Sequence, residues 1–193
     1  KLPNPIDVIK NKVDYKYYLS EDLKRYHLRF IDRFIFNENY HAVKYLRTLR
    51  RLEYLTNIKK NIFQKLEYAY VFWNYKHLCS KYNMRIGVNT CGPGLFIPHL
   101  GFIIVIPRAR VGKQCIIAPG VVVGTKQTFD NVPTIGDNVE MTVGAKIIGK
   151  VSIGNNVVIA PNSVVVKDVP DNCVVSGVPA KIIKKDGIKV SLG

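Results

Sequence analysis

The sequence predicts a mixed fold in which an N-terminal α-helical bundle is followed by a parallel β-helix of hexapeptide repeats. Two features of the 193-residue chain support this. All 14 glycines follow residue 86 and all 11 tyrosines precede it, so the chain divides into two units of different composition. In the second unit an apolar residue recurs at every sixth position. We therefore expect an α-helical domain over 1–85, a β-helix over 86–176 and a C-terminal tail over 177–193.

The helical domain is predicted from its apolar spacing, which no glycine interrupts. Within residues 37–57 apolar side chains recur every three positions, at Val43, Leu46, Leu49, Leu52 and Leu55. Within residues 61–82 a three-to-four spacing is carried by Ile62, Leu66, Tyr70 and Trp73. Both patterns are typical of amphipathic helices. An earlier helix is expected to begin at Ser20, because Glu21 and Asp22 would then suit the helix dipole in its first turn.

The β-helix is predicted from a period of six that recurs over most of the second unit. The apolar positions of this period are Val105, Val111, Ile117, Val123, Ile135, Met141, Ile147, Ile153, Ile159 and Val165. Four places after each of them, Val123 excepted, the residue is small or β-branched. Such a repeat is the signature of a parallel β-helix, in which three hexads form one triangular coil and the apolar positions stack into a narrow core.

The period is interrupted once, by the segment "GTKQTFDNVPT" between Val123 and Ile135. Twelve residues separate these two apolar positions, and the middle position, Phe129, is surrounded by polar residues and proline. We expect residues 124–134 to leave the coil as an extruded loop. A loop on a rigid repeat scaffold is a usual place for function.

His99 occupies an unusual place in this pattern. Counting back six from Val105 lands on His99, so the register predicts an imidazole in an inward aliphatic slot. Pro98 and Gly101 flank it and allow a distorted turn. From the pattern alone, His99 is either a structural histidine bonded to a backbone carbonyl or a functional one.

The composition limits the classes of function. The formal net charge is +15, and the first half places many tyrosines among its basic residues. Such a surface can bind nucleic acid or an anionic membrane. The simpler interpretation is a solvated helical face, so we expect no nucleic-acid partner and no membrane association.

The location of the protein is predicted from what its sequence lacks. The N-terminal stretch "KLPNPIDVIKNK" has no apolar core of a signal peptide, and no apolar run approaches a membrane span. The cysteines, at positions 79, 91, 115 and 173, match neither a zinc pattern nor a disulfide scaffold. We therefore expect buried thiols, no metal site and a cytoplasmic protein.

Three quoted segments carry a resemblance to a known family. "PGLFIPHLGFIIVI", "PTIGDNVEMTVGAKIIGKVSIGNNVVIAPNSVVVKDVPDN" and "SGVPAKII" resemble the hexapeptide-repeat acyltransferases, and within them the serine acetyltransferase-like group. The resemblance covers residues 86–184 almost continuously, while "YHAVKYLR" in the first half matches more loosely. It implies coils that wind left-handed, a homotrimer with active sites between neighbouring copies, acetyl-CoA as donor and no metal.

The resemblance also implies roles for particular residues. His99 falls where the family has its catalytic histidine, which implies a general base that takes the proton of an acceptor hydroxyl. An oxyanion donor is expected from the backbone of a Gly-rich turn. The acetyl-CoA-binding residues it implies are Gly124, Gly144, Ala145, Lys146 and Lys181, with Lys150 as a further candidate. A glycine at a coil corner, however, is also explained without any ligand.

The chain departs from the family at the acceptor side. Pro98 stands where serine acetyltransferases have an acidic residue, and Asn131 and Val132 stand where they have an Arg-His pair. Asn cannot replace a bidentate guanidinium on a carboxylate. We therefore expect Asn131, Pro98 and Thr128 to contact an acceptor that is either L-serine or a sugar hydroxyl.

A third departure concerns the carboxylate that orients the catalytic histidine. The family carries it at the start of the first coil, near Met84, and no acid is present there. Asp14, Asp22, Asp130 or a backbone carbonyl are the substitutes left open.

Two other classes of function remain as alternatives. One is a non-catalytic trimer with a structural or interaction role, because the second histidine of the family is missing from the loop. The other is a basic module that binds nucleic acid or a membrane surface.

Overall fold

The computed structural model describes residues 8–35, 37–126 and 131–190. Three α-helices come first, α1 (Lys12–Leu23), α2 (Glu38–Asn57) and α3 (Ile62–Tyr82), with a short 3-10 turn (Phe30–Arg33) between α1 and α2. Short β-strands follow, most of them paired in parallel. The predicted order of helices followed by parallel coils is confirmed.

The first helix begins earlier than predicted. Asn11 is its N-cap, and the Asn11 side chain accepts hydrogen bonds from the backbone N–H groups of Val13 and Asp14 at 2.8 and 2.9 Å. Ser20 therefore lies in the last turn of α1, and the prediction that a helix begins there is wrong. The side-chain oxygen of Asn11 satisfies free N–H groups at the start of the helix. The acids that follow Ser20 lie in its last turn and cannot reach those groups.

The two longer helices match their predictions within one residue, but α3 buries a different face. Its buried side chains are Val71, Tyr75, Leu78, Cys79 and Tyr82. The predicted apolar stripe of Ile62, Leu66, Tyr70 and Trp73 is exposed. The helix is apolar on two opposite sides, and its spacing alone does not show which side meets the core.

The strands form the three walls of a parallel β-helix. Sheet A contains β1 (Met84–Ile86), β2 (Ile103–Val105), β5 (Val122–Gly124), β8 (Lys146–Ile148) and β11 (Val164–Val165). Sheet B contains β3 (Arg110–Val111), β6 (Thr134–Ile135) and β9 (Ser152–Ile153). Sheet C contains β4 (Ile116–Ile117), β7 (Glu140–Met141), β10 (Val158–Ile159), β12 (Cys173–Gly177), β13 (Ala180–Lys185) and β14 (Ile188–Lys189). The chain visits the three sheets in turn, so each circuit is one coil.

The core of the β-helix follows the period of six. All ten apolar positions listed above are at most 2% exposed, which confirms that prediction. All four cysteines are also buried and unpaired, and burial raises the pKa of the Cys91 and Cys115 thiols to about 12. At the corners between sheets B and C, a side-chain oxygen of one coil accepts a backbone N–H of the preceding coil, as Asn155 does from Asp137 at 2.8 Å.

The last strands close one end of sheet C. β12 is the final parallel strand, and β13 pairs with it in the antiparallel direction, as does β14 with β13. The segment separated above as a C-terminal tail thus contributes two strands to sheet C.

Helix α2 lies across the opposite end of the β-helix. The Tyr45 hydroxyl accepts the N–H of Ile86 at 3.1 Å, and the Tyr75 hydroxyl of α3 donates to the Ile86 carbonyl. Farther along α2, Glu53 accepts the N–H of Asn89 at 2.8 Å. These contacts fix the direction of α2 over the first coil and bring its N-terminus to His99.

Candidate active site

His99 lies on the surface, at the turn that leads from sheet C to sheet A, which we call the C–A corner. Its side chain is 68% exposed, so the predicted inward position is wrong. Ile97 fills the inward slot instead, since it is fully buried and Phe96 beside it pairs with Ile116. Eight residues rather than six separate Ile97 from Val105, and the two extra residues turn His99 outward.

The imidazole of His99 is held by Glu38, the first residue of α2. His99 Nδ1 lies 3.1 Å from Glu38 Oε2, and Glu38 Oε1 accepts the backbone N–H of Leu100 at 2.5 Å. Burial raises the pKa of the Glu38 carboxyl, but these two hydrogen bonds outweigh it and the pKa lies below its ordinary value. An ionised Glu38 accepts a hydrogen bond from Nδ1–H of His99, which leaves Nε2 as the nitrogen with a free lone pair.

Local hydrogen bonds place Glu38 at the start of the helix. Asn37 is the N-cap, and its side chain accepts the N–H of Asn39 at 2.8 Å. The buried Asp32 accepts from the Asn37 amide at 3.1 Å and from the N–H of Arg29 at 2.6 Å. The positive end of the α2 dipole adds to the stabilisation of the carboxylate.

A buried ion cluster fixes the middle of α2 on the first coil. The Arg50 guanidinium contacts Asp22 at 2.6 Å and Glu53 at 2.9 Å, and it donates to the carbonyls of Cys91 and Gly92 at 2.8 and 2.7 Å. Burial alone would lower the pKa of Arg50, but the two carboxylates raise it well above its ordinary value. Arg50 is therefore charged inside the protein.

The carboxylates suggested as partners of His99 are occupied elsewhere. Asp22 binds Arg50 and also accepts the N–H groups of Gly94 and Leu95 at 2.8 and 2.9 Å. Asp14 accepts the N–H of Lys10 at 2.9 Å at the start of α1. Neither orients His99, so both suggestions are wrong, while Asp130 and Thr128 lie outside the described residues.

Several of the predicted cofactor residues lie in the same corner column as His99. Successive coils are joined there by backbone bonds, from Gly120 N–H to the Phe102 carbonyl at 2.6 Å and from Gly144 N–H to the Pro119 carbonyl at 2.9 Å. Lys181 is exposed on β13, one residue beyond the turn that follows β12. His99, Gly144 and Lys181 thus follow one edge of the β-helix.

The three predicted cofactor residues at positions 144–146 differ in which groups they can offer a ligand. Gly144 has a φ of +75°, which other residues rarely adopt, and a Cβ there would lie 2.1 Å from Asn162 Oδ1, so the glycine is explained without a ligand. Ala145 is fully buried, and its N–H and C=O are bonded to Thr142 and Val122. The Lys146 ammonium donates to the carbonyls of Gly120 and Gly144 and keeps one N–H for a ligand.

The remaining candidates lie at the other end of the sheet A strands. Gly124 is the last residue of β5, directly before the predicted loop, and its carbonyl accepts the N–H of Gly149 at 3.0 Å. Lys150 follows at the same corner and is exposed. The Asn131 amide donates to the Lys126 carbonyl at 3.3 Å across the base of the loop. Within one chain, Asn131 and His99 therefore lie at opposite ends of the sheet A strands, whereas Pro98 is next to His99 in sequence.

The geometry of the His99 corner permits acid–base chemistry on a hydroxyl. It combines an exposed imidazole, a carboxylate that fixes its tautomer, and an apolar edge that includes Phe102 and Val143. A cleft of about 390 Å³ elsewhere is lined by residues including Lys10, Tyr17 and Lys113 and does not include His99. Within the described ranges, no three His, Cys or acidic side chains are grouped as metal ligands, and no helix is long and apolar enough to cross a membrane.

Comparison with known proteins supports the resemblance. No family model matches the sequence. The serine acetyltransferase of Synechococcus elongatus is 41% identical over 101 residues, which cover 51% of this chain and 41% of that protein. The chain matches less than half the length of such curated relatives.

Solved structures match a larger share of the chain. A Neisseria gonorrhoeae serine acetyltransferase gives a TM-score of 0.67 at 25% identity, covering 93% of this chain and 69% of that one. A Brucella abortus serine acetyltransferase, solved in complex with coenzyme A, gives 0.66 at 26% identity, covering 92% and 69%. The resemblance to serine acetyltransferases that the sequence motifs predict is therefore confirmed, and it extends over the helices as well as the coils.

Proposed function

We propose that this chain is an acetyl-CoA-dependent O-acetyltransferase in which His99 is the general base. The observation that carries the proposal is the pairing of the exposed His99 imidazole with Glu38, on a fold shared with serine acetyltransferases. General-base catalysis needs a neutral imidazole with a free nitrogen that faces the substrate, and a carboxylate on the other nitrogen fixes that state.

The reaction proceeds through two proton transfers, one to His99 and one from it. Nε2 of His99 takes the proton of the acceptor hydroxyl while the hydroxyl oxygen attacks the thioester carbonyl carbon of acetyl-CoA. The tetrahedral intermediate expels the CoA thiolate, which takes the proton back from the imidazolium. Glu38 stabilises the imidazolium meanwhile, as a carboxylate beside a cation does. The N–H groups of Gly120 and Gly144 are already bonded, so the oxyanion donor comes from another turn.

The acetyl-CoA donor is assigned to the C–A corner column. The pantetheine arm would pass Gly144 and the free N–H of Lys146, and the phosphates would approach Lys181. The name of the curated relatives and the coenzyme A complex of the Brucella abortus structure support acetyl-CoA as the donor. The net charge of +15 favours the approach of a polyanionic donor.

The acceptor is L-serine or a sugar hydroxyl. The relatives are named as serine acetyltransferases, which supports serine. Pro98 and Asn131 supply no charge for a zwitterion, which favours a neutral hydroxyl of a saccharide. Thr128, which lies outside the described residues, stays a predicted acceptor contact.

The assembly belongs to the same proposal. His99 and Asn131 lie at opposite ends of the sheet A strands, so a groove between two copies would bring the loop of one copy to the histidine of the other. We assign the homotrimer on this basis and on the resemblance, and the left-handed winding on the resemblance alone. The cytoplasmic location stays a prediction from the sequence. The mass in solution, measured by light scattering, tests the trimer.

The test of the function is release of free thiol from acetyl-CoA with L-serine and with a panel of mono- and oligosaccharides. We expect turnover with one acceptor class and a loss of at least about a hundredfold in His99→Ala. His77→Ala, an exposed histidine of α3, is the matched control. If no acceptor exceeds the hydrolysis background and His99→Ala behaves as the parent, the chain is a non-catalytic scaffold instead.

A further inference from the structure

The outer face of α3 is an exposed apolar surface that the proposed function leaves unused. We define it by five exposed side chains, Ile62, Phe63, Leu66, Tyr70 and Trp73. At 100° per residue these positions fall within about 100° of the helix circumference, opposite the buried face that contains Val71 and Tyr75. The outer face is thus a continuous apolar stripe rather than scattered surface residues. Contiguous patches of this kind mark interaction sites.

The charges around the outer face are all of one sign. Lys65 and Lys76 border it along one side, and Lys81 lies near its C-terminal end. The single acid of α3, Glu67, is bound in two hydrogen bonds by Arg51, at 2.6 and 2.8 Å. The three lysines therefore have no acid on α3 to neutralise them.

We propose that the outer face of α3 binds an anionic lipid surface. Aromatic and aliphatic side chains on one side of a helix with lysines along its edge are the pattern of helices that lie in the membrane interface. Trp and Tyr favour the level of the lipid headgroups, and lysine stems extend along the apolar layer to reach the phosphates. The helix is already folded and held by the core, so binding does not have to order it.

Charge favours lipid over a second copy of this chain. Two outer faces packed against each other would bring Lys65, Lys76 and Lys81 of one copy close to those of the other. No acid of α3 is free to offset that repulsion, because Glu67 is paired with Arg51. An anionic lipid surface satisfies both the apolar stripe and the lysines. This proposal replaces the sequence-based expectation that membrane association is absent, and it does not depend on the proposed catalysis.

The chain carries its own reporter for this test, because Trp73 is its one tryptophan and is 64% exposed on the outer face. We would titrate the full chain with phosphatidylcholine vesicles that contain or lack phosphatidylglycerol, and follow Trp73 emission together with co-sedimentation. The expected result is a shift of emission to shorter wavelength with the anionic vesicles, reduced by added salt. No shift and no co-sedimentation with anionic vesicles would overturn the proposal.

Variants separate the apolar and electrostatic parts of binding. Phe63→Ser with Leu66→Ser should abolish the shift, whereas Val13→Ser, an equally exposed position on α1, should leave it unchanged. Lys65→Glu with Lys76→Glu should weaken binding to anionic vesicles by at least roughly 25-fold, at about fivefold for each lysine lost.

Two outcomes would assign the outer face differently. A blue shift that grows with protein concentration in the absence of vesicles, with a matching increase in mass by light scattering, would assign the face to a second copy and overturn the proposal. Binding to vesicles that persists unchanged in Phe63→Ser with Leu66→Ser would also overturn it, because the attraction would then come from the general positive charge.

Discussion

The β-helix and its junction with the helices are stabilised in opposite ways. In the β-helix, apolar residues at a fixed spacing occupy equivalent positions, and each coil bonds to the next through its backbone. At the junction between the helices and the first coil, single polar side chains make contacts that occur once. Arg50, Tyr45 and Glu53 each reach a different backbone group there. A repeat distributes stability over many small equal contacts, whereas the junction concentrates it in a few residues.

Replacing Arg50 by Ala should have the largest effect on stability. The change leaves Asp22 and Glu53 buried without a cation, and we expect a loss of about 3–5 kcal/mol in the free energy of unfolding. Urea denaturation followed by circular dichroism measures it.

The matched control for Arg50 is its neighbour in sequence. Arg51 binds Glu67 with both side chains about one-third exposed, so Arg51→Ala should cost about 1 kcal/mol or less. Equal losses in the two variants would show that Arg50 stabilises the junction no more than an ordinary surface ion pair. The contrast between the β-helix and the junction would then be wrong.

Replacing Gly136 by Ala should be the next largest effect, and it tests the β-helix. A Cβ at position 136 would lie 2.6 Å from Asn155 Oδ1 and 2.7 Å from the Gly154 carbonyl oxygen. Because the Gly154 contact is to backbone of the next coil, relief requires the coils to separate, and we expect a loss of roughly 2 kcal/mol. Thermal unfolding monitors the change.

Gly124 provides the comparison within the same unit. A Cβ at position 124 would meet the methyl end of the Ile148 side chain at 3.3 Å, which can move aside. Gly124→Ala should therefore leave the melting temperature nearly unchanged. If Gly136→Ala unfolds at the same temperature as Gly124→Ala, the coils are packed less tightly than the distances around Gly136 indicate.

The smallest expected effect is that of Glu38→Gln, which tests the one contact of the junction that bears on catalysis. The amide keeps the shape but not the charge, so turnover should fall by roughly tenfold while the fold is retained. The pKa of Glu38 is lowered in the folded protein, so its contribution to stability is present above the ordinary carboxyl pKa and is lost as the pH falls through the folded-state pKa.

The pH dependence of unfolding distinguishes this role from a merely structural one. The melting temperature of Glu38→Gln should approach that of the parent on the acid side and lie slightly below it at neutral pH. A parent-like turnover together with this stability profile would mean that Glu38 holds the corner without acting on His99.

The sequence predicts the two units unequally well, and the reason is physical. A period of six fixes which side chains point inward at every coil that keeps the period, and it failed at His99 because two extra residues enter the turn there. The second departure from the period is the loop after Gly124. The predicted general base and the acceptor-side loop thus both lie where the coil is longer than the repeat requires.

The contacts of the junction could not be predicted from spacing. Glu38 and His99 are 61 residues apart, and no local pattern links an acid at a helix start to a distant turn. An Asn directly before an acid, as at Asn37, is a local signal for the start of a helix, but it does not indicate which distant group the acid contacts. Helix α3 was found by its apolar spacing, yet two apolar faces made its orientation ambiguous.

The way both ends of the β-helix are covered has a consequence for how the molecule behaves at high concentration. A stack of parallel strands ends in unpaired backbone groups that invite another molecule to continue the stack. At one end the hydroxyls of Tyr45 and Tyr75 take both groups of Ile86, and at the other β13 reverses the direction of sheet C. Growth of these molecules end to end into fibres is thereby opposed at the first strand of sheet A and at the last parallel strand of sheet C.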